Sequence, residues 1–321
     1  MATSKDSDLE TGFDYKTPLQ LFSEKKYVKI CAPMVRYSNC LFRLPFRMLV
    51  RKYDCDLAFT PMIISNSFVR SIKARDSDFT TCKEDRPLIV QFAANNSQDF
   101  ADAAEIVSPF ADGVDLNCGC PQRWAMGEGY GACLISKPEL VQDVVRQARN
   151  RVNQQHFTVS IKIRIHEDIR RTVDFCQKAE HAGASWVTVH GRTAKQRRQP
   201  VNQEAVRIIK DSVGIPVVSN GDIKQLDDCY TVYEKTHADG FMAANGLLEN
   251  PAMFAGFRET PKECVKKWID LSLSLGTSFQ CFHHHLMFML EKVMGRPERR
   301  IFNMLGSTSA VLAFLRDNYD L

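Results

Sequence analysis

Short apolar runs alternate with longer amphipathic segments along most of this chain of 321 residues. Eight of these runs are strand candidates, and they cover residues 27–34, 56–61, 87–94, 113–119, 157–165, 185–191, 215–221 and 239–246. Several are almost entirely apolar, which is typical of parallel strands covered on both faces. Helical patterns lie between them, for example over residues 44–53, 138–152 and 168–183.

Eight strand-then-helix units predict an α/β fold of the closed (β/α)8 TIM-barrel type over residues 26–257. An open doubly wound sheet is the alternative, although no glycine-rich dinucleotide fingerprint follows the first strand. After Asn250 and Pro251 only helical patterns remain, which predicts a small C-terminal helical domain over residues 258–321. Residues 1–25 lack periodicity, and we expect them to form a flexible tail.

Composition limits the location and the partners of the chain. The formal net charge of +4 permits a polyanionic partner without requiring one. The 11 cysteines are an odd number, and no secretory pattern follows Met1, so we expect a reduced intracellular protein of the cytoplasm or the nucleus. No apolar run approaches the ~20 residues of a membrane-spanning helix, so we expect no membrane association.

The barrel prediction places the chemistry at the carboxyl ends of the strands, where active sites of this fold lie. The side chains at these ends are Pro33 and Met34, Gln91, Asn117 to Cys120, Lys162 and Arg164, His190 and Arg192, Asn220 to Asp222, and Asn245. The convergence of these residues on one face of the barrel is stronger evidence for an active site there than any single motif.

The segment DLNCGCPQ places Cys118 near the end of the fourth predicted strand and Cys120 just past it. A zinc site is disfavoured because no second Cys/His pair has zinc spacing, and a disulfide between residues two apart would be strained. We expect Cys118 to pack in the core, as free cysteines often do. Cys120, held by Pro121 at the barrel mouth, is a candidate acid or nucleophile.

Other polar features allow two interpretations each. Lys162 either enters the barrel mouth or extends to water. The glycines of residues 127–131 form either a phosphate cradle or a flexible lid. The loops after strands seven and eight either bind phosphate or are ordinary turns. The basic loop 190–199 is either solvated or docks a polyanion. His283 to His285 point in different directions on a helix, so we interpret them as structural and predict no metal site.

From about Tyr27 to the C-terminus the chain resembles the FMN-dependent tRNA-dihydrouridine synthases. The resemblance is carried, in order, by CAPMV, TPMI, QFA, DLNCGCPQ, GYGACL, SIKIRI, TVHGRT, SNGDI and LLENPAMF. The segments APMVRYS, NCGCPQRWAMGEGYGACL and KIRIHED look most like the eukaryotic dihydrouridine synthase 4 branch, which acts on positions 20a and 20b of the tRNA D-loop.

The resemblance implies a flavin-binding barrel followed by a helical tRNA-recognition domain, acting as a monomeric oxidoreductase. FMN would be reduced by NADPH or NADH and would deliver hydride to carbon 6 of uridine, while Cys120 protonates carbon 5. An ordinary thiol, with a pKa of about 8.5, carries its proton near neutral pH and therefore suits this role.

The resemblance also assigns the remaining site residues. Those implied at the flavin ring are Pro33, Met34, Val35, Gln91 and Lys162. Those implied toward the ribityl-phosphate are His190, Asn220, Gly221, Asp222, Ala244 and Asn245. Those implied for the substrate are Asn117 and Arg164, which would hold the uracil. Arg192 is a further substrate-binding candidate because it lies in the basic loop at the barrel mouth.

Two departures from the family pattern stand out. Asn245 replaces an arginine that many relatives carry, and Phe42-Arg43 followed by Phe46-Arg47 looks like a short insertion. Two alternatives to the synthase function are a small-pyrimidine flavin reductase of the dihydroorotate dehydrogenase type and a tRNA-binding relative without cofactor. A small-pyrimidine reductase would need neither the C-terminal helical domain nor the basic loop 190–199.

Overall fold

The computed structural model describes residues 15–34 and 44–321, and its strands form one parallel sheet. The strands are β1 (Val28–Cys31), β2 (Leu57–Phe59), β3 (Ile63–Ile64), β4 (Leu88–Ala93), β5 (Gly113–Cys118), β6 (Thr158–Arg164), β7 (Val187–His190), β8 (Val217–Asn220) and β9 (Gly240–Ala243). Each of the eight predicted strands is confirmed, and each is somewhat shorter than its apolar run.

The sheet closes into a barrel. Strand β1 pairs with both β2 and β9, β2 pairs with β4, and β4 to β9 pair in sequence, all in parallel. The predicted (β/α)8 TIM barrel is therefore confirmed. The short strand β3 pairs with β4 outside this ring. Strand β3 was not predicted, because two residues are too few for a periodic pattern.

Helices connect the strands and continue beyond the last one. They are α1 (Pro18–Glu24), α2 (Leu44–Arg51), α3 (Ser65–Arg70), α4 (Ile72–Asp78), α5 (Ser97–Val107), α6 (Arg123–Gly127), α7 (Pro138–Arg151), α8 (Ile169–His181), α9 (Gln203–Ser212), α10 (Leu226–Thr236), α11 (Asn245–Glu249), α12 (Lys262–Ser274), α13 (Phe279–Met289), α14 (Arg296–Asn303) and α15 (Thr308–Tyr319). None of these helices, which come from the described residues, is long and apolar enough to cross a bilayer.

Helix α7 shows why these segments fold as predicted. It begins at Pro138, whose fixed φ suits the first turn of a helix. Its buried residues are Val141, Val144, Val145 and Ala148, which recur at helical spacing and form one apolar face toward the barrel.

The N-terminal prediction needs a correction. Part of the expected tail, Pro18–Glu24, is helical rather than flexible. Thr17 and Gln20 form a capping box that satisfies two backbone N–H groups. Leu21 is buried in a cluster with barrel residues such as Val28 and Ile30. Residues 1–14, and with them the rest of the predicted tail, lie outside the described residues.

Side chains that point into the barrel form two zones. The lower zone is apolar and includes Val28, Ile30, Phe59, Trp186 and Met242. Farther along the same strands, toward their carboxyl ends, inward positions become polar. The apolar and polar side chains of a strand share the inner face because every second residue points to the same side. The polar zone forms the floor of the candidate site.

The C-terminal helices pack on the barrel through α2. The Phe46 ring stacks on His285 of α13 with ring centroids 4.5 Å apart, and the Trp268 ring of α12 lies 4.4 Å from the same imidazole. Phe46 and Trp268 belong to one buried core that also includes Leu315 of α15. The helices expected after residue 258 are present, whereas the domain boundary itself stays a prediction.

Candidate active site

A cavity of about 340 Å³ opens at the carboxyl ends of the strands and is called the mouth cavity below. Eight residues predicted for the site line it: Pro33, Gln91, Asn117, Cys120, Lys162, Arg164, His190 and Asn220. Five further lining residues are Met62, Gly119, Pro121, Gln122 and Arg197. The fold therefore brings together residues from β4 to β8 and from the loops after β1, β2, β5 and β7.

The loop after β5 places Cys120 in the mouth cavity. Its backbone N–H donates to Oδ1 of Asn117 at 2.9 Å, and its carbonyl accepts from the Ala132 N–H at 2.9 Å. A Cβ on Gly131, where φ is +68°, would lie 2.5 Å from that carbonyl oxygen. Gly131 is thus needed for close backbone approach. Cys118 points to the other face and is fully buried, as predicted.

A buried chain of hydrogen bonds supports this loop from below. Ser160 donates to Asp115 at 2.7 Å, and Nε2 of Gln91 donates to the same carboxylate at 2.8 Å. Nδ2 of Asn117 then donates to Oε1 of Gln91 at 2.8 Å, which leaves the Asn117 oxygen to accept from the loop. A carboxylate only accepts, so Asp115 fixes the orientation of both amides.

Asp115 was not singled out by the sequence analysis, although a charged residue at an inward position of an apolar strand is a recognisable signal. Burial raises the pKa of its carboxyl to about 6, while hydrogen bonds from Ser160 and Gln91 and the charge of Lys162 act in the opposite direction. Asp115 is therefore mainly ionised at neutral pH and keeps its acceptor role.

Lys162 projects into the mouth cavity and does not extend to bulk water. Its Nζ donates to Oδ1 of Asn220 at 2.9 Å, and Asn220 in turn donates to the Met242 carbonyl at 2.7 Å. Burial, together with the nearby charge of Arg164, lowers the pKa of the Lys162 ammonium to about 8. The group is mostly cationic at pH 7 and becomes neutral above pH 8.

His190 lies at the end of β7 among cationic groups. Burial, reinforced by Lys162, Arg164 and Arg192, lowers the pKa of its imidazole to about 2. The ring is therefore neutral at physiological pH and serves as a hydrogen-bonding group rather than a proton donor of imidazolium type.

Arg164 ties two loops to the end of β6. Its Nε donates to the Gly119 carbonyl at 3.0 Å, and its Nη1 donates to the carbonyls of Thr193 and Gln196 at 2.9 and 3.1 Å. Burial, followed by repulsion from Arg192, lowers the pKa of the guanidinium. Arg164 thus joins the Cys120 loop to the basic loop while still lining the mouth cavity.

Comparison with known proteins identifies the family. The sequence matches the dihydrouridine synthase (Dus) family over residues 30–310. The chain belongs to the dihydrouridine synthase family. The match runs from within β1 to the first turn of α15.

Several dihydrouridine synthase relatives match almost the full chain. A mouse protein named tRNA-dihydrouridine(20a/20b) synthase (NAD(P)+)-like is 60% identical over 304 residues, which cover 95% of this chain and 93% of that protein. The human protein of the same name is 59% identical, covering 95% of both chains. In Schizosaccharomyces pombe, tRNA-dihydrouridine(20a/20b) synthase (NAD(P)+) is 42% identical, covering 88% of this chain and 86% of that protein.

Among solved structures, the old yellow enzyme from Trypanosoma cruzi superposes with a TM-score of 0.51 at 11% identity, covering 70% of this chain and 85% of that chain. This likeness concerns the barrel fold of the dihydrouridine synthase alone.

Some residues predicted for this dihydrouridine synthase lie at the same end of the barrel as the mouth cavity but do not line it. Gly221 and Asp222 follow β8, and Ala244 and Asn245 follow β9, so all four are at the correct end of the barrel. Asn245 is exposed at the start of α11. Met34 is half-buried next to Pro33.

Val35 lies outside the described residues, as does Phe42-Arg43 of the expected insertion.

Arg192 does not line the mouth cavity, and its contact with substrate stays a prediction. Its guanidinium is buried, donates through Nε to the Gln199 carbonyl and pairs through Nη2 with Asp222. These bonds hold the basic loop against the end of β8. Arg197, which the sequence analysis placed only in a basic run, lines the mouth cavity instead.

The histidine triplet has packing roles. His283 is buried and its Nε2 lies 2.9 Å from the Phe302 carbonyl, His284 stacks on Phe288, and His285 is fully buried. Within residues 15–34 and 44–321, no group of three or more His, Cys, Asp or Glu side chains is arranged to hold a metal ion.

Proposed function

We propose that the chain reduces uridine in the D-loop of tRNA to 5,6-dihydrouridine, at positions 20a and 20b, with FMN as cofactor and NADPH or NADH as reductant. The observation that carries the proposal is the placement of Cys120 in one cavity with Lys162 and Arg164. The names of the mouse, human and fission yeast relatives support the tRNA positions and the nicotinamide donor.

The donors of the mouth cavity fit FMN. The volume of the mouth cavity, about 340 Å³, lies at the lower end of the range of roughly 300–1,000 Å³ that small-molecule sites occupy. Lys162, Arg164 and Arg197 supply positive charge, and none of the described lining residues is acidic. The isoalloxazine carbonyls and the phosphate of FMN are acceptors, which such a site favours.

The residues that would hold FMN follow from this arrangement. Gln91 and Asn117 each use one amide N–H in the buried chain, so each has a second N–H for an acceptor in the mouth cavity. Pro33 would contact the ring, Lys162 would neutralise negative charge on it, and Asn220 holds Lys162 in place. FMN, when bound, supplies hydride taken from NADPH or NADH.

Cys120 supplies the proton that the reduction requires. Reduction of the carbon 5–carbon 6 double bond needs a hydride at carbon 6 and a proton at carbon 5. The Cys120 thiol carries that proton at Sγ, and the bonds to Asn117 and Ala132 hold the loop that presents it. A uridine can reach this cavity only after it has been turned out of its stack.

The remaining parts of the proposal concern the assembly. We propose that helices α12–α15 form the tRNA-recognition region, since they follow the barrel on the α2 side. We also propose that the protein acts as a monomer in a reducing intracellular compartment. The 10 cysteines of the described residues form no disulfide, which is consistent with such a compartment.

Lys162 gives a pH prediction. We expect FMN affinity to fall about tenfold as the pH rises from 7 to 9, because an ammonium with a pKa of about 8 loses its proton and its charge-assisted bond. The FMN phosphate, with a second pKa of about 6, does not titrate in this window. The measurement is the quenching of flavin fluorescence on binding, at several pH values.

Lys162→Met is the matched variant for this titration. It should bind FMN more weakly at pH 7 and show almost no change up to pH 9. An equal fall of affinity in the Lys162→Met variant would mean that another group is responsible.

Activity tests the proposed reaction. The purified protein is incubated with FMN, NADPH and tRNA that lacks dihydrouridine, and the dihydrouridine formed is quantified. We expect product, and we expect unmodified tRNA but not free uracil or orotate to compete. Competition by the free pyrimidines instead would favour the small-pyrimidine reductase. Binding of tRNA without FMN retention or product would favour a cofactor-less relative.

A further inference from the structure

Helix α6 places a tryptophan in solvent beside the Cys120 loop. Ala125 of this helix is buried and packs with Tyr130, which anchors the helix to the barrel. The residues on either side of Ala125 therefore turn outward. Trp124 is 44% exposed and Met126 is 40% exposed. An exposed aromatic ring at the rim of a polar cavity is positioned to contact a molecule bound there.

Trp124 differs from the other tryptophans of the chain. There are 3 in total, and the other two, Trp186 and Trp268, are fully buried. The indole N–H of Trp124 donates to Oε1 of Gln122 at 2.7 Å, and Gln122 lines the mouth cavity. The polar edge of the indole is thus satisfied at the cavity rim, while much of the ring stays accessible to a partner.

The surroundings of Trp124 favour a polyanionic partner. Arg123, the preceding residue, is exposed, and Arg164 and Arg197 line the adjoining cavity. A positively charged groove with an exposed aromatic ring is the usual arrangement for single-stranded nucleic acid, since the cations meet phosphates and the ring stacks on a base. A protein or lipid partner would not require this combination next to the Cys120 thiol.

We propose that Trp124 is a stacking platform for a nucleobase that neighbours the target uridine. This inference rests on the proposed function and deepens it, because it names the contact that recognises the RNA beside the reacting base. A uridine that leaves its stack deprives its neighbours of a stacking partner. An exposed indole at the rim replaces that partner without touching the reacting atoms.

Kinetics with tRNA tests the platform. Trp124→Ala should raise the KM for tRNA about tenfold, within the range that base–aromatic stacking supplies, and should change kcat less than threefold or so. Trp124→Phe keeps an aromatic ring and should stay within about threefold of wild type in KM. Phe110→Ala is the matched control, since Phe110 is 55% exposed and precedes β5 at the opposite end of the barrel.

Fluorescence of the FMN-loaded protein provides a readout that does not need turnover. Because Trp186 and Trp268 are buried, acrylamide should quench mainly Trp124. Bound tRNA, or a single-stranded RNA of the D-loop sequence, should protect the Trp124 fluorescence from quenching by acrylamide. The fraction of tryptophan fluorescence that acrylamide quenches should vanish in Trp124→Phe.

The outcomes separate this inference from the proposed function. An unchanged KM in Trp124→Ala, or no protection of Trp124 by bound RNA, would overturn the platform even if the wild type is active. Protection of Trp124 in a protein that forms no dihydrouridine would support the platform and contradict the proposed reaction.

Discussion

Cys120→Ala is expected to lower the turnover of tRNA uridine by about 100- to 10,000-fold, the range that a positioned acid typically contributes. The thiol lines the mouth cavity, and its backbone is fixed by bonds to Asn117 and Ala132. Alanine removes the proton and leaves these backbone bonds in place. FMN retention and tRNA affinity should therefore remain near wild type, and single-turnover formation of dihydrouridine measures the loss.

Cys133→Ala is the matched control for this experiment. Cys133 is also a half-buried free cysteine after β5, but its Sγ lies 3.1 Å from the Tyr130 carbonyl and it does not line the mouth cavity. We expect wild-type turnover from this variant. Wild-type turnover from Cys120→Ala would show that Cys120 is not the acid.

Asp85→Ala is expected to lower the free energy of unfolding by about 3–5 kcal/mol, because it leaves a buried charge without its partner. The fully buried Asp85 carboxylate accepts two bonds from Arg47, at 2.9 and 2.6 Å, and one from Arg51 at 3.3 Å. Both arginines belong to α2, the helix on which the C-terminal helices pack. The midpoint of urea denaturation, followed by circular dichroism, measures the effect.

Asp211→Ala provides the comparison for this stability measurement. Asp211 pairs with Arg207 at 2.7 Å on the exposed face of α9, and such surface pairs contribute about 0–1 kcal/mol. We expect a small shift of the urea midpoint for Asp211→Ala and a large one for Asp85→Ala. Equal shifts would mean that the buried ion pair does not hold α2 in place.

Much of the site follows from two regularities of the sequence. Active sites of a barrel lie at the carboxyl ends of its strands, and side chains alternate along each strand. These regularities suffice to place Gln91, Lys162, His190 and Asn220 in one cavity and to separate Cys120 from Cys118. Each of these positions depends on local periodicity, which a sequence displays directly.

Other features depend on tertiary contacts that periodicity does not display. Arg192 carries the charge expected of a substrate-binding residue, but its pairing with Asp222 of the next loop removes it from the mouth cavity. The role of Asp115 depends on which amide atoms of Gln91 and Asn117 face each other. The direction in which Arg197 points depends on the path of its loop, so its place in the cavity was missed.

The most direct test of the central claim is a map of dihydrouridine at single-nucleotide resolution. The protein is incubated with FMN, NADPH and tRNA lacking the modification, and each D-loop position is read separately. We expect new dihydrouridine at 20a or 20b, formed about 100- to 10,000-fold more slowly with Cys120→Ala. Dihydrouridine confined to other positions, or absent from tRNA although FMN is bound, would contradict this claim.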